Sequence, residues 1–123
     1  MKIYLAIGGA GFLGAVARYV VATTSARIFG TGFPWGTLII NVGGSFALGW
    51  FYAAAGSRII TSETVRLAIA TGFLGAYTTF STYMFESDGL MRDGAQIKAL
   101  LNLLGSIILG LVAVRLGWIL GTR

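Results

Sequence analysis

Apolar residues run in four long stretches, and the polar and turn-forming residues gather between them. The stretches are roughly Ile3–Ala22, Trp35–Ala55, Val65–Phe85 and Ala99–Leu120. A helix needs about 20 apolar residues to cross a hydrocarbon core of about 30 Å, so each stretch suffices for one crossing. The connections are Gly30–Pro34, Gly56–Glu63 and Glu86–Gly94, with Pro34 placed where it can begin a helix without losing an internal hydrogen bond. The pattern predicts one all-α integral membrane domain over residues 1–123, with four transmembrane helices. The first stretch is too long for the apolar region of a signal peptide, carries Arg18 near its end and precedes no clear small-residue cleavage motif, so it is expected to be retained.

Composition strengthens this reading. Hydrophobic residues make up 56% of the chain and charged residues 11%, whereas soluble domains carry about 25% charged residues. The net charge of +5 is carried by nine cations set singly along the chain. They form no basic run of the kind that binds nucleic acid, and no nucleic-acid partner is expected. With neither Cys nor His in the chain, disulfides, thiol chemistry and the commonest general base are excluded. No nucleophile–base pair suggests catalysis, and an enzyme is not expected.

Orientation follows from the Lys/Arg distribution between the two sides. Four spans place Lys2, Arg58, Arg66, Arg115 and Arg123 on one side and Arg18, Arg27, Arg92 and Lys98 on the other. So even a split points to insertion in both orientations, and oppositely inserted copies could pair as an antiparallel homodimer. A single topology fixed by other factors is the alternative.

Polar residues inside the spans carry the candidate chemistry. Thr37, Asn41 and Ser45 recur at i, i+4, i+8 and share a stripe of the second span; Asn102 and Ser106, with Lys98 before them, form another on the fourth. Small residues such as Ala6, Ala10 and Gly14, or Gly36, Gly43, Gly44 and Gly49, are expected to let helices approach closely. Helices this close leave no wide bore inside one subunit, so a permeation path would be narrow or lie between subunits. The third span holds Gly72 and Gly75 followed by Thr78-Thr79-Phe80-Ser81-Thr82. Hydroxyls compete for backbone partners there and predict a break in the helix. Broken helices at membrane depth line cavities or ion sites, where carbonyls and half-helix N–H groups meet the ion. Tyr77, Phe80 and Tyr83 would then stand near one face, with ring edges able to meet an anion. Ordinary interhelical bonding and aromatic packing would give the same residues a purely structural role.

In these motifs the chain resembles the Fluc (CrcB) fluoride channel family over nearly its whole length. The motifs are the glycine-rich run Gly9–Tyr19, Pro34-Trp35-Gly36-Thr37-Leu38 leading to Asn41, Gly72-Phe73-Leu74-Gly75 followed by TTFST, and the stretch from Gly105-Ser106 to Gly117. The resemblance implies a passive fluoride channel in the bacterial inner membrane, exporting cytoplasmic fluoride and relieving its toxicity. It implies an antiparallel dual-topology homodimer with two pores at the subunit interface. It further implies a structural sodium ion at the dimer centre, held by the backbone carbonyls of Gly75 and Thr78. The pore residues it implies are Asn41, Phe80, Ser81, Thr82, Thr37 and Ser106, with Tyr83 where the family has a second Phe. Arg18 matches a vestibule cation and Glu86 an acid after the pore helix. Asn102 stands where some members have Tyr, and Gly110 where some have Ser. A proton-coupled drug exporter of similar size would need a carboxylate within the membrane, and the first span has none.

Overall fold

Backbone N–H and C=O groups in hydrocarbon have no water to bond, so long apolar runs satisfy them internally as helices. The computed structural model describes residues 1–56 and 62–123, and no strand occurs among them. The Gly56–Glu63 connection and Arg58 lie partly or wholly outside the described residues. Helix α1 spans Lys2–Phe29, α2 Trp35–Gly56 and α6 Gln96–Gly121. Each of these is long and apolar enough to cross a membrane.

Between α2 and α6 the chain is subdivided. Helix α3 (Glu63–Leu67) starts at Ser62, whose Oγ accepts from the Val65 N–H. A π-helical segment, Ala68–Leu74, follows, and then the short α4, Gly75–Tyr77. Thr78 and Thr79 are extended, with ψ of 158° and 121°. Helix α5 then runs Phe80–Arg92. The wide π turn was not legible in the sequence.

Helix limits differ most from the hydropathic ones in two places. Helix α1 continues to Phe29, and near its end the Thr23 hydroxyl bonds within the helix, donating to the Tyr19 carbonyl at 2.9 Å. It stops at Gly30, whose φ of 79° suits glycine. The expected Glu86–Gly94 connection is instead mostly helical, since α5 extends to Arg92. There Arg92 pairs with Asp88 one turn back at 2.7 Å, and the chain reverses at Gly94, with φ of 77°.

The helices meet at small residues. Helix α2 lies along α6, and α1 along the π-helical segment. A Cβ at Gly117 would strike the Phe46 carbonyl, and one at Gly14 the Phe73 carbonyl. By contrast, Gly8, Gly9, Gly43 and Gly105 have no neighbour for a Cβ within 4 Å. The expectation that Gly43 serves close packing therefore does not hold within one chain. Most of α1 and α6 is apolar and exposed, Phe12 and Leu111 among their residues, as a lipid-facing surface would be. Replacing Gly117 by Val is expected to destabilise the fold by about 1–3 kcal/mol through overpacking against the α2 backbone. A melting temperature in detergent equal to that of the parent would contradict this contact.

Candidate functional site at the interrupted third helix

Two consecutive extended residues leave backbone groups without helical partners, and the second span supplies one of the substitutes. Asn41 Nδ2 donates to the Thr79 carbonyl at 2.9 Å, while Asn41 Oδ1 accepts from the Thr79 N–H at 2.8 Å. The amide thus grips the break at both ends of one residue. One Nδ2 hydrogen remains for another acceptor, since the amide carries two. Ser45 Oγ donates to the Asn41 carbonyl at 2.7 Å, continuing the α2 stripe.

Thr79 also starts the next half-helix. Its Oγ1 accepts from the Thr82 N–H at 3.2 Å and donates to Thr82 Oγ1 at 3.0 Å. This is an N-cap, which satisfies a donor at the start of α5. The Ser81 hydroxyl lies 3.4 Å from the same oxygen. Thr78 turns its hydroxyl back onto the Leu74 carbonyl at 3.0 Å.

These bonds free two carbonyls. In an unbroken helix the Thr79 N–H would return to Gly75 and the Thr82 N–H to Thr78. Here they go to Asn41 Oδ1 and Thr79 Oγ1 instead. Backbone oxygens released in this way are the donor type a hard cation takes. Gly75 and Thr78 therefore fit the chemistry of a cation such as sodium.

Two grooves flank Thr79, which lines both. The first, of 380 Å³, brings together Asn41, Ser45, Gly75, Thr78, Phe80, Tyr83 and Ser106. Its rim residue Phe80 is 73% exposed, whereas Tyr83 is buried. The two rings meet edge to face, with centroids 6.0 Å apart and planes at 70°. The second groove, of 370 Å³, holds Arg18, Thr37, Thr82 and Glu86. It continues through Thr37 and Glu86 into a 300 Å³ concavity beside the Gly30–Pro34 connection and Asp93.

The candidate residues therefore divide between two faces of the break. Ser81 is exposed and lines neither groove. Thr37 is buried and gives its hydroxyl to Glu86 Oε1 at 2.9 Å. Glu86 Oε2 is buried with no hydrogen-bond partner among the described residues. The TTFST run stands out in the sequence, but Thr79 has no separate role there. Its signal was the hydroxyl one residue before a helical start, the position where Ser and Thr cap. The Thr37–Glu86 bond joins residues 49 apart and had no local signal.

A family profile described as "CrcB-like protein, Camphor Resistance (CrcB)" matches residues 4–118. A Shewanella amazonensis protein named fluoride-specific ion channel FluC is 49% identical over 115 residues, covering 94% of this chain and 90% of the relative. A Chlorobaculum tepidum protein of the same name is 45% identical over 120 residues, covering 98% and 94%. A third, from Chlorobium phaeobacteroides, is 45% identical over 113 residues, covering 92% and 88%.

Proposed function

Since the chain belongs to the CrcB-like family, we propose that it is a passive fluoride-selective channel, not an enzyme. Its relatives' name supports the choice of ion. The observation that carries the reading is the 380 Å³ groove at the Thr78–Thr79 interruption, where an amide, hydroxyls and aromatic rings line one open surface.

Fluoride is small and strongly hydrated, so a pore must offer donors in place of water and release the ion at each step. In this groove the free donor is the second Asn41 N–H; the Thr82 hydroxyl stands in the second groove, and the exposed Ser81 hydroxyl lies outside both. The edges of Phe80 and Tyr83 carry partial positive charge and add weaker contacts. Ser106 lines the same groove as Asn41, and Arg18 attracts anions toward the second one. Thr37 acts through Glu86, because its hydroxyl is already given to that carboxylate.

A groove open on one side becomes a pore when a second surface closes it. A second copy inserted in the opposite orientation supplies that surface, and two equivalent grooves then give two pores. The five-to-four division of cations between the two sides supports both insertions. Gly75 and Thr78 carbonyls of both copies would hold a sodium ion at the dimer centre, where its charge would tie the two breaks together. Situated in the bacterial inner membrane, the channel would let the negative-inside potential drive fluoride out of the cell and so relieve fluoride toxicity.

Expression in a bacterium lacking fluoride defences tests the cellular role. The expected outcome is growth on fluoride medium that arrests cells with an empty vector. Continued arrest, with the protein present in the membrane, would overturn the reading.

A further inference from the structure

Helix α5 presents Phe80 on its open face and is tied from behind to α6 by polar bonds. Asn102, with 0% exposure, donates from Nδ2 to Ser87 Oγ at 2.9 Å. Ser87 Oγ donates to the Tyr83 carbonyl at 2.7 Å. The Tyr83 hydroxyl in turn donates to the Leu103 carbonyl, one residue beyond Asn102. Ser106 Oγ reaches Asn102 Oδ1 at 3.5 Å and extends the set toward the groove.

We propose that Asn102, Ser87 and the Tyr83 hydroxyl form one positioning device that fixes the Phe80 ring at the groove. The proposal rests on the channel reading above and deepens it. Neither group is free to bind the ion: Asn102 has no exposed surface, and the Tyr83 hydroxyl hydrogen is committed to a carbonyl. The only buried residues of α5 are Tyr83 and Ser87, and both belong to the device. In lipid no hydrophobic force drives helices together, and directional bonds between helices add to packing in setting their register. Tyr83 lies one turn from Phe80 and meets its ring edge to face, so a fixed Tyr83 ring fixes the Phe80 ring. Binding groups need placement within about 0.5 Å, held by packing and supporting hydrogen bonds of this kind.

The test places para-fluorophenylalanine at position 80 and records fluorine NMR of the reconstituted protein in fluoride-free chloride buffer. Fluoride efflux is measured in parallel on unlabelled protein. The parent is expected to give one resonance. Tyr83→Phe, Ser87→Ala and Asn102→Leu should each shift or broaden it and slow efflux on the order of tenfold. Combining Tyr83→Phe with Ser87→Ala should slow efflux less than the product of the single effects, because the two act through one unit. Should Asn102→Leu fail to fold, the two milder variants carry the test alone. A resonance unmoved in both overturns the proposal, whatever efflux does. If the unsubstituted protein passes no fluoride, the channel reading fails, and the resonance alone decides the positioning role.

Discussion

Replacing Asn41 with Asp is expected to slow fluoride efflux at neutral pH on the order of a hundredfold and to make it recover as pH falls. The amide side chain offers a donor to the Thr79 carbonyl and an acceptor to the Thr79 N–H. An ionised carboxylate offers two acceptors, so one of them faces a carbonyl oxygen. A buried polar group left unsatisfied costs about 1–3 kcal/mol. Repulsion adds to that cost, and the Thr78–Thr79 break loses its grip. A protonated carboxyl restores both bonds, because its O–H donates to the carbonyl and its C=O accepts from the N–H. Stability and flux in the variant are thus present at low pH and lost as the introduced acid ionises. Efflux between pH 5.5 and 7.5, corrected with protein-free vesicles, would check this. A pH-independent variant, or one as fast as the parent, would remove Asn41 from the grip on the break.

Substituting Ile for Phe80 is the second large effect. The ring is 73% exposed at the rim of the groove and touches Tyr83 edge to face. It contributes little to the interior of one subunit, so its loss should leave the helices intact. On the proposed ion path its edge would be the weakly positive surface offered to an anion, in the groove that Asn41 also lines, and an aliphatic side chain has no such edge. Efflux is expected to fall on the order of a hundredfold, equivalent to about 2.7 kcal/mol of barrier. Size-exclusion elution and helical content should match the parent. Unchanged efflux would rule Phe80 out of the ion path.

Hydropathy carried most of the fold, because in lipid a long apolar run has almost no alternative to a helix. The ends of helices were less legible. Thr23 and Ser25 lie beyond the apolar stretch that ends at Ala22, yet their backbone stays within α1, with the Thr23 hydroxyl bonded one turn back. Glu86–Arg92 read as a connection for the same reason and is helical, with an Asp88–Arg92 pair on its surface.

At the site, the sequence marked the polar residues but not their partners. Asn41 stood out as a costly amide in an apolar run. That its amide would be spent on the Thr79 backbone depended on how α2 lies against the break, 38 residues away. Tyr83 looked like a ring with a hydroxyl added to the ion path. Its hydroxyl instead points to the Leu103 carbonyl, a partner fixed by the packing of α5 on α6. The π-helical segment Ala68–Leu74 had no specific signal, since Gly72 marks a weak helix but not a π turn.

The central claim is selective, passive fluoride conduction, and efflux from vesicles tests it most directly. Protein reconstituted into liposomes loaded with equal potassium fluoride and potassium chloride is diluted into low-halide buffer, and a potassium ionophore then sets the driving potential. Ion-selective electrodes should record rapid fluoride release with chloride retained until detergent is added. No fluoride release on adding the ionophore, or chloride release at the same rate, would contradict the account.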